Sequence, residues 1–444
     1  MKQSFPYRLA ASFLVLLLLS WFRVEMASAK IYLDINAPSF KRLPLAIQVF
    51  KNTARGMGEI PAGKELHETL SDDLEFSGLF QVLDPVSFIE DPAHSDVDPA
   101  KIHFEDWRVV GADALIKGTY LLEGERLKAE FYLYDIYLQR LIVGKRYYGK
   151  VEDLRMMAHR FANEVVRQIT GEAGVFDTRI VYLATSGDTR ELHIVDYDGH
   201  NDHLLLREES ILLTPRWSSD GEKIVFTSYR DGKPDLYQIS VRSGEVQKIS
   251  GQPGINLGGS YSPGGGRLAY VMSKDGNPEV YSLGKYSRKP RRLTDNYATD
   301  VSPDWSPNGK QIAFVSDRAG GPQIYIMDAD GDNPTRLTYQ GKYNASPAWS
   351  PRGDRIAFAS MVNGHFQIAT IKPDKSGMVI LTANNGDNEF PSWSPDGRFL
   401  CFSSTMDGQS EIYIMNANGT HVRRITTGSA RNSAPDWSPR YVPE

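Results

Sequence analysis

An aromatic residue returns every 44 positions through the later part of the chain, at Trp217, Tyr261, Trp305, Trp349, Trp393 and Trp437. The flanking residues repeat with it: Arg-Trp-Ser-Ser-Asp-Gly from Arg216, Asp-Trp-Ser-Pro-Asn-Gly from Asp304, Ala-Trp-Ser-Pro-Arg-Gly from Ala348 and Ser-Trp-Ser-Pro-Asp-Gly from Ser392. A fixed period of this length marks a unit packed against copies of itself, so the fold must be a repeat architecture.

Residues 303–338 show what one unit is. The aromatic-bearing segment Asp304-Trp305-Ser306 is followed by a turn at Pro307, Asn308 and Gly309 and the apolar run Ile312-Ala313-Phe314-Val315. A Gly-rich turn leads to Ile324-Tyr325-Ile326-Met327. Asp328-Ala329-Asp330-Gly331 and a short last segment, 335–338, complete the unit. These are four short strands joined by three turns, with Gly, Pro, Asn and Asp where hairpins need a positive or preset φ. Four antiparallel strands in this length make a β-propeller blade, and the first-strand aromatic is predicted to wedge one blade against the next. One blade cannot bury both of its faces, so the blades must close into a ring.

Five units are complete, and a sixth begins at Trp437, close to the last residue, Glu444. One period before Ile224, Val225 and Phe226 stand Ile180, Val181 and Tyr182; three periods before Asp328, Asp330 and Gly331 stand Asp196, Asp198 and Gly199. Residues 179–206 therefore read as strands two to four of a blade whose first strand comes from the Trp437 segment. Closure from both ends leaves no open sheet edge. The expected architecture is an all-β six-bladed β-propeller over residues 173–444, preceded by a small α/β domain over 30–172 and a cleaved signal peptide over 1–29.

The signal peptide follows from Lys2 and Arg8, an apolar run over 9–22 and the small-residue site Ala27-Ser28-Ala29. The run is short for a membrane span, and no Cys follows the site as a lipoprotein would need. Cleavage removes Lys2, Arg8, Arg23 and Glu25, leaving a remainder more acidic than the formal charge of −5 for the whole chain. An acidic exported protein is a poor partner for nucleic acid or an anionic membrane, so contact with membranes is expected to be peripheral at most. A monomer is expected. The single cysteine, Cys401, stands where other blades have Ala313 and Ala357 and reads as inert core, so no disulfide forms within the chain.

In residues 30–172 the period is absent. Segments 31–35 and 45–50 read as strands. Leu66, Leu70 and Leu74 before Gly78 read as a helix, and so do Leu154, Ala158, Phe161, Val165 and Ile169 before Gly171. Residues 114–148 read as strands turned at Glu123-Gly124-Glu125 and near Gln139. Residues 84–99 read as a loop.

Catalytic constellations are missing from the sequence: it has no Gly-x-Ser-x-Gly, no His-Glu-x-x-His, no phosphate-binding glycine loop and no cysteine metal site. His94 and His103, and the trio His193, His200 and His203, are read as surface polar residues rather than ligands. The Asp-x-Asp-Gly runs at Asp196 and Asp328 and the Asn416-Ala417-Asn418-Gly419 run lack the acid that closes a calcium loop, so they are hairpin turns. Neither metal nor cofactor is expected.

One polar series keeps the period. Asn256, Asp300, Asn344, Asn388 and Asn432 each stand five residues before the aromatic, with Leu212 in the first unit. The position lies on the connection into the innermost strand, on the face that carries the strand 2–3 turns, near the mouth of the central channel. Each side chain is read either as a cap for its own turn or as part of a polar ring that receives a protein loop, and the two roles are compatible. The same face could also hold a cation in the channel.

Taken together, the export signal, the α/β domain, the six Trp-Ser-Pro-Asp-Gly-type repeats and the stretch Gly111-Ala112-Asp113-Ala114-Leu115-Ile116-Lys117-Gly118 resemble the TolB family. The resemblance spans the whole chain. It implies a periplasmic, non-enzymatic protein whose propeller mouth binds the peptidoglycan-associated lipoprotein. It also implies that the mature N-terminal segment engages TolA, so that the outer membrane stays attached and constricts during division. Carried over, the lipoprotein site comprises Asn256 and its neighbours, Asp300 and Val301, with Asn344, Asn388 and Asn432 as secondary positions. Ile255 stands where many members have His. The TolA segment is Lys30, Ile31, Tyr32, Leu33, Asp34, Ile35 and Asn36, matched by location and extended character, which suits strand addition to a partner sheet.

Two other classes have sequence requirements of their own. A propeller hydrolase would need a further α/β-hydrolase domain with its nucleophile elbow, and a channel lyase would need clustered basic groups. A glycan-binding propeller would present exposed aromatics at the mouth.

Overall fold

The computed structural model describes residues 41–54, 61–287 and 289–440. The signal peptide, the segment Lys30 to Asn36 and the strand expected at 31–35 lie outside the described residues.

The N-terminal domain is one mixed sheet built from β1 (Leu43–Ile47), β2 (Lys51–Asn52), β3 (Phe80–Val82), β4 (Ala114–Glu123), β5 (Arg126–Asp135) and β6 (Arg140–Lys150). Its order is β3-β1-β4-β5-β6, with β2 also on β4. β1 runs parallel to β3 and β4, and β4, β5 and β6 form an antiparallel meander. The strand expected over 45–50 is split: Ile47 pairs Ile116 and Lys51 pairs Thr119, so one extra residue bulges out between them.

Helices α1 (Pro61–Phe76) and α3 (Leu154–Thr170) cover one sheet face through Leu66, Leu70, Leu74, Phe161, Val165 and Ile169. Gly171 ends α3 in the left-handed region at φ 82°, its N–H bonded to the Arg167 carbonyl. A short helix that the apolar spacing does not reveal, α2 (Phe104–Val109), covers the other face with Phe104 and Trp107. The loop over 84–99 winds through single 3₁₀ turns that start at Pro85, Pro92 and Pro99. It brings Glu90 onto Lys117 at 2.5 Å, which satisfies an ammonium that is 1% exposed. Gly118 makes room for the Phe50 ring, since a Cβ there would lie 2.0 Å from it. The Gly111 to Gly118 stretch thus serves the packing of this domain.

The propeller has six four-stranded sheets. We number blades by their innermost strands: Leu212–Trp217, Asn256–Tyr261, Asp300–Trp305, Asn344–Trp349, Asn388–Trp393 and, for blade 6, Arg431–Trp437. Blade 6 is completed by Arg179–Ser186, Thr189–Asp196 and His203–Glu208, with Trp437 opposite Ile180 and Asn432 opposite Ala184. The Trp437 indole donates to Thr178 Oγ1 at 2.8 Å, and Ser438 N to the Arg179 carbonyl at 2.8 Å.

The periodic tryptophans wedge the blades apart and together at once. Trp217 packs on Val181 and Ile194 of blade 6, Trp349 on Val315 and Ile324 of blade 3, and Trp437 on Cys401 and Ile412 of blade 5. The Trp217 and Trp393 indoles donate to the carbonyls of Asp436 and Ala348 on the preceding blade, each at 3.0 Å.

The N-terminal domain sits on the ring face that carries the strand 1–2 and 3–4 turns, over blades 4 to 6. Phe76 stacks on Phe399 at 4.6 Å, Arg423 lies over Phe76, and Glu172 pairs with Arg352 and Arg398. Beneath α1 and α3, His159 Nδ1 bonds Asp73 at 2.7 Å, while Tyr197 bonds Asp73 and Arg155 bonds Asp198 from across the boundary. Among the described residues, no helix is long and apolar enough to cross a membrane.

Candidate functional site

The face of the ring opposite the N-terminal domain carries the periodic polar series at the starts of the innermost strands. Asn256, Asp300, Asn344 and Asn388 are 0% exposed and Asn432 is 3% exposed. Each lies beneath the mouth rather than at its rim. Asn344 Nδ2 donates to the Gln340 carbonyl of its own turn and to Gln323 Oε1 of blade 3, both at 2.9 Å. Asn388 bonds Gln367 Oε1 at 3.1 Å and Asn432 bonds Glu411 Oε2 at 2.7 Å. Asn256 accepts from Ser250 at 2.7 Å and donates to the Gln252 carbonyl at 2.9 Å.

The series therefore seals the seam between neighbouring blades, satisfying groups that would otherwise be buried without partners. Its counterparts, Asp235, Glu279, Gln323, Gln367 and Glu411, share the 44-residue spacing. They are a second periodic signal in the sequence.

Asp300 departs because a carboxylate cannot donate. Its Oδ2 takes bonds from Asn296 Nδ2 and the Arg318 guanidinium, each at 2.7 Å. Burial raises its pKa, and Arg318 works against that shift. The Arg318 group also lies over the rings of Phe314 and Tyr325.

The accessible groups on this face are the neighbours of the series. Ile255 precedes Asn256, Thr299 precedes Asp300, and Tyr343, 42% exposed, precedes Asn344. Val301 is half-buried against the apolar cluster between blades 3 and 4. Tyr297 and Tyr339 stand 86% and 64% exposed, and Tyr343 meets Phe366 edge-on at 5.3 Å. No period marks these side chains, which is why spacing alone misses them.

Deeper in the ring, the residues just before the aromatics line a cavity of about 280 Å³, among them Arg216, Ser260, Asp304, Ser392 and Asp436. Arg216 pairs with Asp436 at 2.8 Å, and Asp304 accepts from Ser260 and from Trp349 N. Burial works against the charge on Arg216, but Asp436 and Asp304 override it and hold the guanidinium protonated; burial raises the Asp304 carboxyl. A cation at these carboxylates is thus supplied by the chain itself.

Above this level every innermost strand bulges, and Thr214, Ser302, Ser346, Phe390 and Ala434 adopt φ between 46° and 55° just before a proline. Such left-handed, non-glycine backbone is retained where packing enforces it. Of the histidine trio, His193 bonds Glu191 and Asp202, while His200 contacts Asp198 and Arg155, so they do not converge.

Residues 166–440 match the TolB beta propeller domain, and residues 31–142 match the TolB amino-terminal domain. The chain belongs to the TolB family. It is 40% identical over 250 residues to a Tol-Pal system protein TolB from Desulfosudis oleivorans, an alignment covering 56% of this chain and 57% of that one. It is 42% identical over 232 residues to the protein of the same name from Syntrophus aciditrophicus, covering 51% of each. The chain thus spans about half the length of these curated TolB relatives. The crystal structure of TolB from Acinetobacter baumannii superposes with a TM-score of 0.77 at 25% identity, covering 92% of this chain and all of that one.

Proposed function

We propose that this chain is a periplasmic, non-enzymatic component of the Tol-Pal system. In this reading the propeller face opposite the N-terminal domain binds the peptidoglycan-associated lipoprotein, and residues 30–36 bind TolA. The two contacts together maintain the outer membrane and its constriction during division. The observation that carries the reading is that the described residues of the N-terminal domain pack on one face of a sealed ring. The other face carries accessible side chains beside the starts of the innermost strands.

Because Asn256, Asp300, Asn344, Asn388 and Asn432 are buried, their part is to hold the rim backbone. Contact with the lipoprotein falls to Ile255, Thr299, Val301, Tyr297 and Tyr343. Truncating a central aromatic anchor typically weakens a protein interface by about 2 kcal/mol or more. In a titration with the purified lipoprotein, Tyr343→Ala should therefore bind at least about tenfold more weakly at an unchanged melting temperature. Unchanged affinity for Tyr343→Ala and for Tyr297→Ala would remove this face from consideration. Deletion of residues 30–36 is expected to abolish TolA binding alone; loss of lipoprotein binding as well would contradict the two-site reading.

The exposed tyrosines favour a second reading, in which the mouth holds a glycan. Retention on purified peptidoglycan without the lipoprotein, lost in Tyr297→Ala, would support it.

A further inference from the structure

The turn between the third and fourth strands of blade 2 breaks the pattern of its counterparts. Blade 3 has Asp328-Ala329-Asp330-Gly331-Asp332 there, blade 5 Asn416-Ala417-Asn418-Gly419 and blade 6 Asp196-Tyr197-Asp198-Gly199. Gly331, Gly199 and Gly419 let these turns press on the neighbouring blade, where an added Cβ would lie 2.3, 2.5 and 2.7 Å from the carbonyl oxygens of Leu293, Ile425 and Leu381. Blade 2 instead reads Gly284-Lys285-Tyr286-Ser287-Arg288-Lys289-Pro290-Arg291-Arg292, with five basic residues and Ser287 at the register of Gly331.

The described residues at the tip of this turn face solvent. Lys285, Ser287, Lys289 and Arg291 are exposed, and Tyr286 is 94% exposed. Arg291 donates to the Asp330 carbonyl at 2.9 Å and anchors the turn to blade 3, while Arg292 folds back onto Glu279 and Asp295. Lys285 and Lys289 form no ion pair among the described residues. Arg267 lies on the same side and donates to the Ala329 carbonyl at 3.3 Å, beside the acidic turn of blade 3. Among the described residues, the N-terminal domain covers blades 4 to 6 of this ring face, and blade 2 lies across the ring from blade 5, away from that cover.

We propose that this turn docks the protein on an anionic lipid bilayer surface. The acidity of the whole chain does not oppose this. Charges beyond about 8 Å are screened at physiological salt, so a surface senses the local cluster. Lysines near an anionic bilayer contribute about 1 kcal/mol each. A projecting tyrosine suits the headgroup layer, its ring in the apolar boundary and its hydroxyl in water. The inference rests on this charge pattern and not on the partner roles above.

The test is sedimentation of the chain purified from the cell envelope with lipid vesicles. Binding is expected to phosphatidylcholine vesicles containing phosphatidylglycerol, falling with added salt, and not to phosphatidylcholine alone. Lys285→Ser with Lys289→Ser should weaken it about 30-fold, while Lys285→Arg with Lys289→Arg should retain it and Tyr286→Ser should lose part of it. Equal binding to both vesicle types, undiminished binding by the double serine variant, or release by inorganic phosphate at matched ionic strength would overturn the proposal. So would capture of an acidic protein with no vesicle binding.

Discussion

Asn344 has no surface of its own, yet it ties two blades together by donating to one acceptor on each side of a seam. Leucine in its place would take this donor from the Gln340 carbonyl and leave Gln323 Oε1 with the Thr338 hydroxyl alone. Asn344→Leu is expected to cost about 1–3 kcal/mol, read as a lower urea midpoint at constant slope; an unmoved midpoint would show that water replaces the amide. Glycines separate by the same kind of local argument. Gly331 and Gly320 have φ of 100° and 92°, but an added Cβ meets the Leu293 carbonyl oxygen at 2.3 Å in the first and nothing within 4 Å in the second. Gly320→Ala should lose about 1–2 kcal/mol from backbone strain alone. Gly331→Ala should lose roughly 1–3 kcal/mol more, because a backbone carbonyl cannot move aside. Equal losses in paired thermal melts would refute the close-approach explanation.

At the level of elements, the strand Arg431–Trp437 bears the largest share of the architecture, since it is the inner neighbour of Arg179–Ser186 and no other strand can take its place. A chain ended after Ala430 should show no cooperative unfolding and rapid cleavage within residues 179–208 in limited proteolysis; a sharp melt like that of the intact chain would contradict ring closure by this strand. The repeat made this element legible, because a period converts one recognised strand into six. The sheet order of the N-terminal domain was not legible, since β1 pairs with β3 and β4 across long loops that leave no spacing signal. Helix α2 escaped because six residues are too few to establish a stripe. For the candidate site, position could be read but depth could not. Spacing placed Asn256 and Asp300 on the correct connection, and only packing shows that their side chains point into the seam while Thr299 and Tyr343 face outward.

Across the whole molecule, the two domains share a buried polar joint. His159 lies between Asp73 at 2.7 Å and Asp198 at 3.5 Å, with Arg155 and the Tyr197 hydroxyl alongside. Burial opposes the imidazolium, but the two carboxylates outweigh it and raise the His159 pKa. A histidine raised in the folded state contributes stability that is complete below its unfolded pKa and fades as pH rises through the folded one. The intact chain should therefore melt at higher temperature near pH 6 than near pH 8, with a smaller difference in His159→Gln; identical pH profiles would exclude the joint as the source.

The joining of the two propeller ends in one sheet also sets an order of events. The strand that completes blade 6 is the last part of the ring to be synthesised, so until it arrives the earlier blades have a gap and no cooperative endpoint. A ring of this kind cannot lock while the polypeptide is still emerging, so its earlier blades stay pliable until synthesis ends.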